Sequence, residues 1–186
     1  NAKTFGIPLF YANHSGAQTE LIFDGGSLVA NSKGEIVSEF PYFTECIEII
    51  DLAEVNSLIP MEQQKTEMAL IHDALVSGIK DYFEKLGFKR AILGLSGGID
   101  SALVLALAVE ALGKDNVLSV LLPSQYSSDH SIKDSLELCE NLGSPNKVIN
   151  IENGYHALEK TLQPHFVNKE PNVAEENIQA RLRALI

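Results

Sequence analysis

The sequence predicts an α/β protein in two parts, the second of them a doubly wound parallel sheet. Short apolar runs at 91–95 and 117–122, and a third strand-like run at 147–151, are separated by stretches of helical periodicity. Strands that are apolar on both faces belong to a parallel sheet covered by helices. The residues up to about 58 read instead as short strands divided by glycine and asparagine turns. The pattern changes near Pro60, so three segments are expected: 1–58, a linking helix over 59–87, and 88–186.

In the first segment, strands are expected at 7–12, 20–24, 27–30, 35–40 and 46–51, with a strand lead-in at Asn1. Asn31, Ser32, Lys33 and Gly34 are turn formers between two alternating runs, which predicts a hairpin. These elements are too few to close a core alone. From Met61 onward, Ile71, Leu75, Ile79, Phe83 and Leu86 fall at helical spacing, and Gly87 is a natural stop. Beyond it, helices are expected at 100–112, 131–142 and 154–162 and from about Val173, with Gly113 and Gly143 closing the first two.

Composition excludes several function classes. The formal net charge of -11 repels phosphate backbones, so no nucleic-acid partner is expected. No apolar run is long enough to cross a bilayer, and no basic-then-apolar leader is present. Cys46 and Cys139 have neither a disulfide framework nor a zinc spacing, and both are expected as buried, inert thiols of a cytoplasmic protein. The chain starts at Asn1 and stops at Ile186 within a helical run, without a capping residue, so a fragment of a longer polypeptide is expected.

The stretch that carries chemistry is Gly94, Leu95, Ser96, Gly97, Gly98, Ile99, Asp100 and Ser101. It follows an apolar strand and opens a helix, which places it at the carboxyl edge of the sheet, where ligands bind. Gly97 and Gly98 allow positive φ and close approach of backbone N–H groups to an anion. Ser96 and Ser101 add hydroxyls on either side. No lysine follows, so this is not the Walker loop, and G-x-G-x-x-G is absent. Asp100 beside bound phosphates calls for an intervening cation such as Mg²⁺. Its other reading is a carboxylate favoured by the positive helix end, worth about 0.3–1 kcal/mol.

This loop resembles the pyrophosphate-binding motif of the ATP pyrophosphatase superfamily, whose fold is adenine nucleotide alpha hydrolase-like. Two further stretches are similar to NAD synthetases. Glu175, Glu176, Asn177, Ile178, Gln179, Ala180, Arg181, Leu182 and Arg183 match an E-N-x-Q-A-R-x-R helix start, which implies that Asn177 contacts deamido-NAD. Arg181 and Arg183, two apart on a helix, point to different faces; one is free to reach a ligand phosphate while the other pairs with an acid. Pro123, Ser124, Gln125, Tyr126, Ser127, Ser128, Asp129, His130 and Ser131 look like the segment that borders the adenine in two-domain synthetases. Ser128 or Asp129 is equally a helix N-cap. Residues 13–27 resemble the late core of a nitrilase-fold glutaminase, an α/β sandwich, with Ser15 and Ala17 where the family has Val and Gly. Asp24, Gly25 and Gly26 are read there as a sharp turn, and Ser27 as a residue lining the glutamine pocket.

The resemblance implies a glutamine-dependent NAD synthetase using ATP and Mg²⁺, with deamido-NAD and glutamine as substrates, and a homo-oligomer. It also implies that the glutaminase Glu, Lys and Cys lie upstream, so the chain alone should be inactive. Two alternatives stay open: another amidotransferase or thiolase of the same superfamily, and a non-catalytic nucleotide-binding module.

Overall fold

The computed structural model describes residues 1–61, 66–125, 127–165 and 173–186, with side chains from 177 onward in the last stretch. The chain divides into two compact units, Asn1–Phe88 and Lys89–Ile186.

In the first unit, α1 (Ala2–Phe5) replaces the expected strand lead-in and is closed by Gly6 at φ 65°. Strands β1 (Leu9–Tyr11), β4 (Leu28–Ala30) and β5 (Ile36–Glu39) form an antiparallel sheet in the order β1-β4-β5. Between them, β2 (Ser15–Gln18) and β3 (Leu21–Asp24) make a separate hairpin. The turn at 31–34 forms as expected: Gly34 N–H donates to Asn31 O at 2.9 Å, and Asn31 Oδ1 accepts from Lys33 N and Glu35 N at 3.0 Å each. Val29, Val37 and Val55 form a small core, with Phe40 and Ile50 packed against it.

Two further expectations fail here. Residues 46–51 form no strand, and Ile47 and Ile49 are each 95% exposed. Their β-branched composition favours extension, but extension becomes a strand only where a neighbouring edge offers hydrogen bonds. Cys46, on this segment, is consequently exposed rather than buried; Cys139 is buried.

Helix α2 (Glu67–Leu86) begins at Thr66, whose hydroxyl accepts from Ala69 N, and ends at Gly87 with φ 73°. The earlier part of the expected helix, 62–65, lies outside the described residues. α2 lies on the β2-β3 hairpin through a face other than the apolar stripe: Ile71, Leu75 and Leu86 stay exposed. The contacting face holds Gly78, where a Cβ would come within 2.8 Å of Ile22 Cδ1, and Asp81, whose Oδ2 accepts from Ala17 N at 2.6 Å. Lys85 Nζ donates to Ala17 O and to Asp81 Oδ2, the latter at 3.1 Å.

The second unit alternates strand and helix: β6 (Ala91–Gly94), α3 (Ile99–Leu112), β7 (Val117–Leu121), α4 (Asp129–Leu142), β8 (Asn146–Val148), α5 (Glu152–Leu162) and α6 (Val173–Leu185). The three strands are parallel in the order β6-β7-β8, with Ala91 opposite Val117 and Ser119 opposite Asn146. α3 and α4 cover one face, where Leu105, Ala108 and Cys139 pack with Leu95, Val117 and Leu121. The other face is more open, with Ile92 75% exposed. α5 and α6 pack together where Gly154 admits Leu182: a Cβ there would sit 3.2 Å from Leu182 Cδ2.

Candidate nucleotide-binding site

The second unit turns from β6 into α3 through residues 95–98. Leu95 N–H donates to Val120 O at 2.9 Å, so the loop leaves the sheet still paired to β7. Leu95 itself is buried in the core, while Ser96, Gly98, Ile99 and Asp100 are exposed. Gly97 takes φ 80°, in the left-handed region, and a Cβ there would lie 2.6 Å from both Cα and O of Ser131 on α4. Gly98 differs from expectation: its φ is -89°, open to any residue, so its lack of a side chain serves access rather than backbone shape.

α3 carries no side-chain cap at Gly98. Elsewhere in the chain, Thr66 caps α2 and Ser128 Oγ accepts from Ser131 N at 3.2 Å on α4, while α5, like α3, has no side-chain cap at its N-cap residue, Ile151. The first-turn N–H groups of α3 are therefore left for solvent or an anion. The two loop hydroxyls face each other: Ser96 Oγ and Ser101 Oγ are 3.0 Å apart, and Ser101 Oγ donates to Gly98 O at 3.0 Å. Ser96 Oγ accepts from Gly98 N at 3.3 Å, so these hydroxyls hold the turn as well as bordering it.

Beside the loop opens a cavity of about 660 Å³, lined by Gly94 to Ser96, the end of β7 through Leu122 and Pro123, the start of α4 at Ser127, Ser128 and Ser131, and Arg183 of α6. Its size falls in the range of small-molecule sites. Of the loop residues singled out from sequence, Gly94, Leu95 and Ser96 line it directly, as do Pro123, Ser127, Ser128 and Ser131 of the segment after β7. Gly97, Gly98, Ile99, Asp100 and Ser101 form the adjoining turn. Asn177 is exposed and is not on the cavity wall. Tyr126 and the side chains of Glu175 and Glu176 lie outside the described residues. Ser128 is the N-cap of α4, the role weighed for it beside ligand binding. Both arginines are exposed; Arg183 lines the cavity and donates from Nε to Leu122 O at 3.2 Å, and Arg181 does not line it. Among the described residues, no three His, Cys, Asp or Glu side chains come together as a metal site.

In the first unit, Gly25 and Gly26 both take positive φ, at 70° and 53°, and Gly26 lies against the Tyr42 ring. Ser27 Oγ accepts from Asn13 N at 2.9 Å, and Asn13 Nδ2 donates to Asp24 Oδ1 at 2.7 Å. Tyr42 donates to Glu39; this hydrogen bond, with burial and the Glu39 and Asp24 charges, pushes its phenol up to about 12.

The family model for NAD synthase matches residues 71–186. The chain belongs to the NAD synthase family. The match begins inside α2, although α2 packs with the first unit. A glutamine-dependent NAD(+) synthetase of Synechocystis sp. is 45% identical over 98% of the chain and 34% of its own length. The solved structure of the Acinetobacter baumannii glutamine-dependent NAD+ synthetase, in complex with ADP, matches 99% of the chain and 36% of its own, with TM-score 0.91 and 37% identity. An NH3-dependent NAD synthetase from Campylobacter jejuni matches 65% of the chain and 50% of its own, with TM-score 0.57 and 32% identity. The chain thus spans about a third of the length of the curated relatives it matches. No helix among the described residues of this NAD synthase family member is long and apolar enough to cross a membrane.

Sequence reasoning reached the loop but not the full cavity wall. Ser135 carries no signal of its own; what marks it is that it follows the second parallel strand, at the edge where the loop already sits. Gln179 was quoted only as part of a motif, and its partner shows only in three dimensions.

Proposed function

We propose that the protein containing this chain makes NAD from deamido-NAD, with ATP as the activating substrate and glutamine as the nitrogen source. The observation that carries this reading is the turn itself. Gly97, held in the left-handed region against α4, and an uncapped α3 together leave backbone N–H groups open beside a cavity of about 660 Å³. That arrangement suits a polyphosphate, and a 37% identical relative of the same fold was solved with ADP. We assign residues 1–58 to the end of a nitrilase-like glutaminase, 59–87 to a connecting helix, and 88–186 to the start of the synthetase domain.

In this mechanism, Gly94 to Ser101 position the phosphates of ATP. The nicotinate carboxylate attacks the α-phosphorus, the bond to the bridging oxygen breaks, and pyrophosphate leaves with that electron pair. Ammonia from glutamine then adds to the acyl carbon of the adenylate. AMP departs, a proton is lost, and the amide of NAD remains. The chain's contribution is orientation and charge stabilisation rather than covalent chemistry. Asp100, exposed in the first turn of α3, would hold a Mg²⁺ through its carboxylate. When bound there, the ion offsets charge on the leaving pyrophosphate. Asn177 is proposed to contact deamido-NAD, and the assembly to be a homo-oligomer.

The full-length protein, given ATP, Mg²⁺, glutamine and deamido-NAD, is expected to yield NAD, AMP and pyrophosphate in equal amounts. Asp100→Asn is expected to cut pyrophosphate release while glutamine hydrolysis without ATP continues. Equal loss of both activities would make Asp100 structural, and ATP binding without any turnover would favour a non-catalytic module.

A further inference from the structure

We infer that Gln179 is a positioning residue for the nucleotide cavity, holding in place the backbone that follows β7; the inference rests on the nucleotide reading above. Gln179 and Ser124 are both almost fully buried, 7% and 8% exposed, and Ser124 Oγ donates to Gln179 Oε1 at 2.9 Å. The same amide oxygen accepts from Arg183 Nη2 at 3.4 Å, and Arg183 Nε donates to Leu122 O at 3.2 Å. α6 therefore grips two residues, Leu122 and Ser124, on either side of Pro123.

The rest of this backbone is pinned as well. Pro123 O accepts from Ile151 N at 3.0 Å, and Ser124 N–H donates to Ser127 Oγ at 3.0 Å. Leu122, Pro123, Ser127 and Arg183 are themselves cavity wall. A buried acceptor is costly to remove, because the buried Ser124 hydroxyl then loses that partner away from water, while exposed Arg183 loses a weaker contact. The consequence falls on the ligand. A wall fixed in advance spares the nucleotide the cost of ordering it. α6 can exert this hold because Gly154 lets Leu182 seat against α5, which anchors the helix independently of the cavity.

The test uses the full-length protein, with Gln179→Met, Ser124→Ala and the double variant. Methionine keeps the volume of glutamine and removes the acceptor. Losing one buried hydrogen bond predicts that Gln179→Met raises the KM for ATP about tenfold. Ser124→Ala is expected to raise it similarly, and the double variant no more than the worse single one. The kcat at saturating ATP, the KM for deamido-NAD and glutamine hydrolysis are expected to hold. Wild-type KM for ATP in both single variants overturns the inference. So does a uniform loss of all parameters together with a lowered melting temperature, which is what a merely structural role gives. Failure of the wild-type protein to bind ATP would instead remove the functional reading, and this inference with it.

Discussion

Replacing Gly97 by alanine tests the geometry of the loop with a single methyl group. At φ 80°, alanine pays about 1–2 kcal/mol for the left-handed conformation. Its Cβ would stand 2.6 Å from Cα and O of Ser131, where carbon contacts ordinarily need about 3.5–4.0 Å. The obstacle is the backbone of α4's first turn, not a side chain that can swing away. The loop or α4 must shift by about 1 Å, and such overpacking costs about 1–3 kcal/mol. The total is roughly 2–5 kcal/mol. Gly98→Ala is the matched control. Its φ is -89°, and the nearest atom to an added Cβ is Ser96 Oγ at 3.4 Å, an ordinary contact. The poorer N-cap is offset by reduced freedom of the unfolded chain, so Gly98→Ala should stay within about 1 kcal/mol of the parent. Hydrogen exchange of the α3 and α4 amides reads the difference, because it reports opening of this unit without needing a single global transition. Equal protection in the two variants would refute the claim that the loop is locked against α4.

Two further outcomes follow from the same structure. Burial pushes the Asp81 carboxyl up, but the Ala17 N–H and Lys85 outweigh it and hold the group below its ordinary 3.8. Its contribution is thus present above about pH 3.8 and lost as the pH falls through the lower folded value. Asp81→Ala should cost about 1–2 kcal/mol at pH 7 and flatten the acid limb of the unfolding profile; parental stability at pH 7 would show that Asp81 does not hold α2 to the hairpin. In the second unit, Ser144 Oγ donates to Val117 O at 2.7 Å in a buried setting, whereas buried Ser119 Oγ has no partner among the described residues. Ser144→Ala should destabilise by about 1–3 kcal/mol and Ser119→Ala should be neutral or stabilising, as read from the protection of β7 amides; the reverse order would mean that Ser119 has a bonded partner.

Much of the second unit was legible because its signals are local. An apolar strand, a glycine pair and a helix start occupy consecutive residues, so β6, the loop and α3 follow from short-range conformational preference and burial. The same holds for the 31–34 hairpin, where Asn31 and Gly34 bring the turn with them. The first unit was less legible where an element depends on what lies beside it. Residues 46–51 have strand composition and no strand, and α2 presents Gly78 and Asp81 to the hairpin rather than its apolar stripe.

By itself, the sequence determined the alternation of strand and helix and the position of the turn on the chain, since these depend on neighbours a few residues apart. Tertiary structure alone decided that Gly97 meets Ser131, that Gly98 needs no special φ, and that Gln179 reaches Ser124 across 55 residues. Those contacts depend on which faces two helices present to one sheet edge, and close packing fixes that only once the whole unit has assembled.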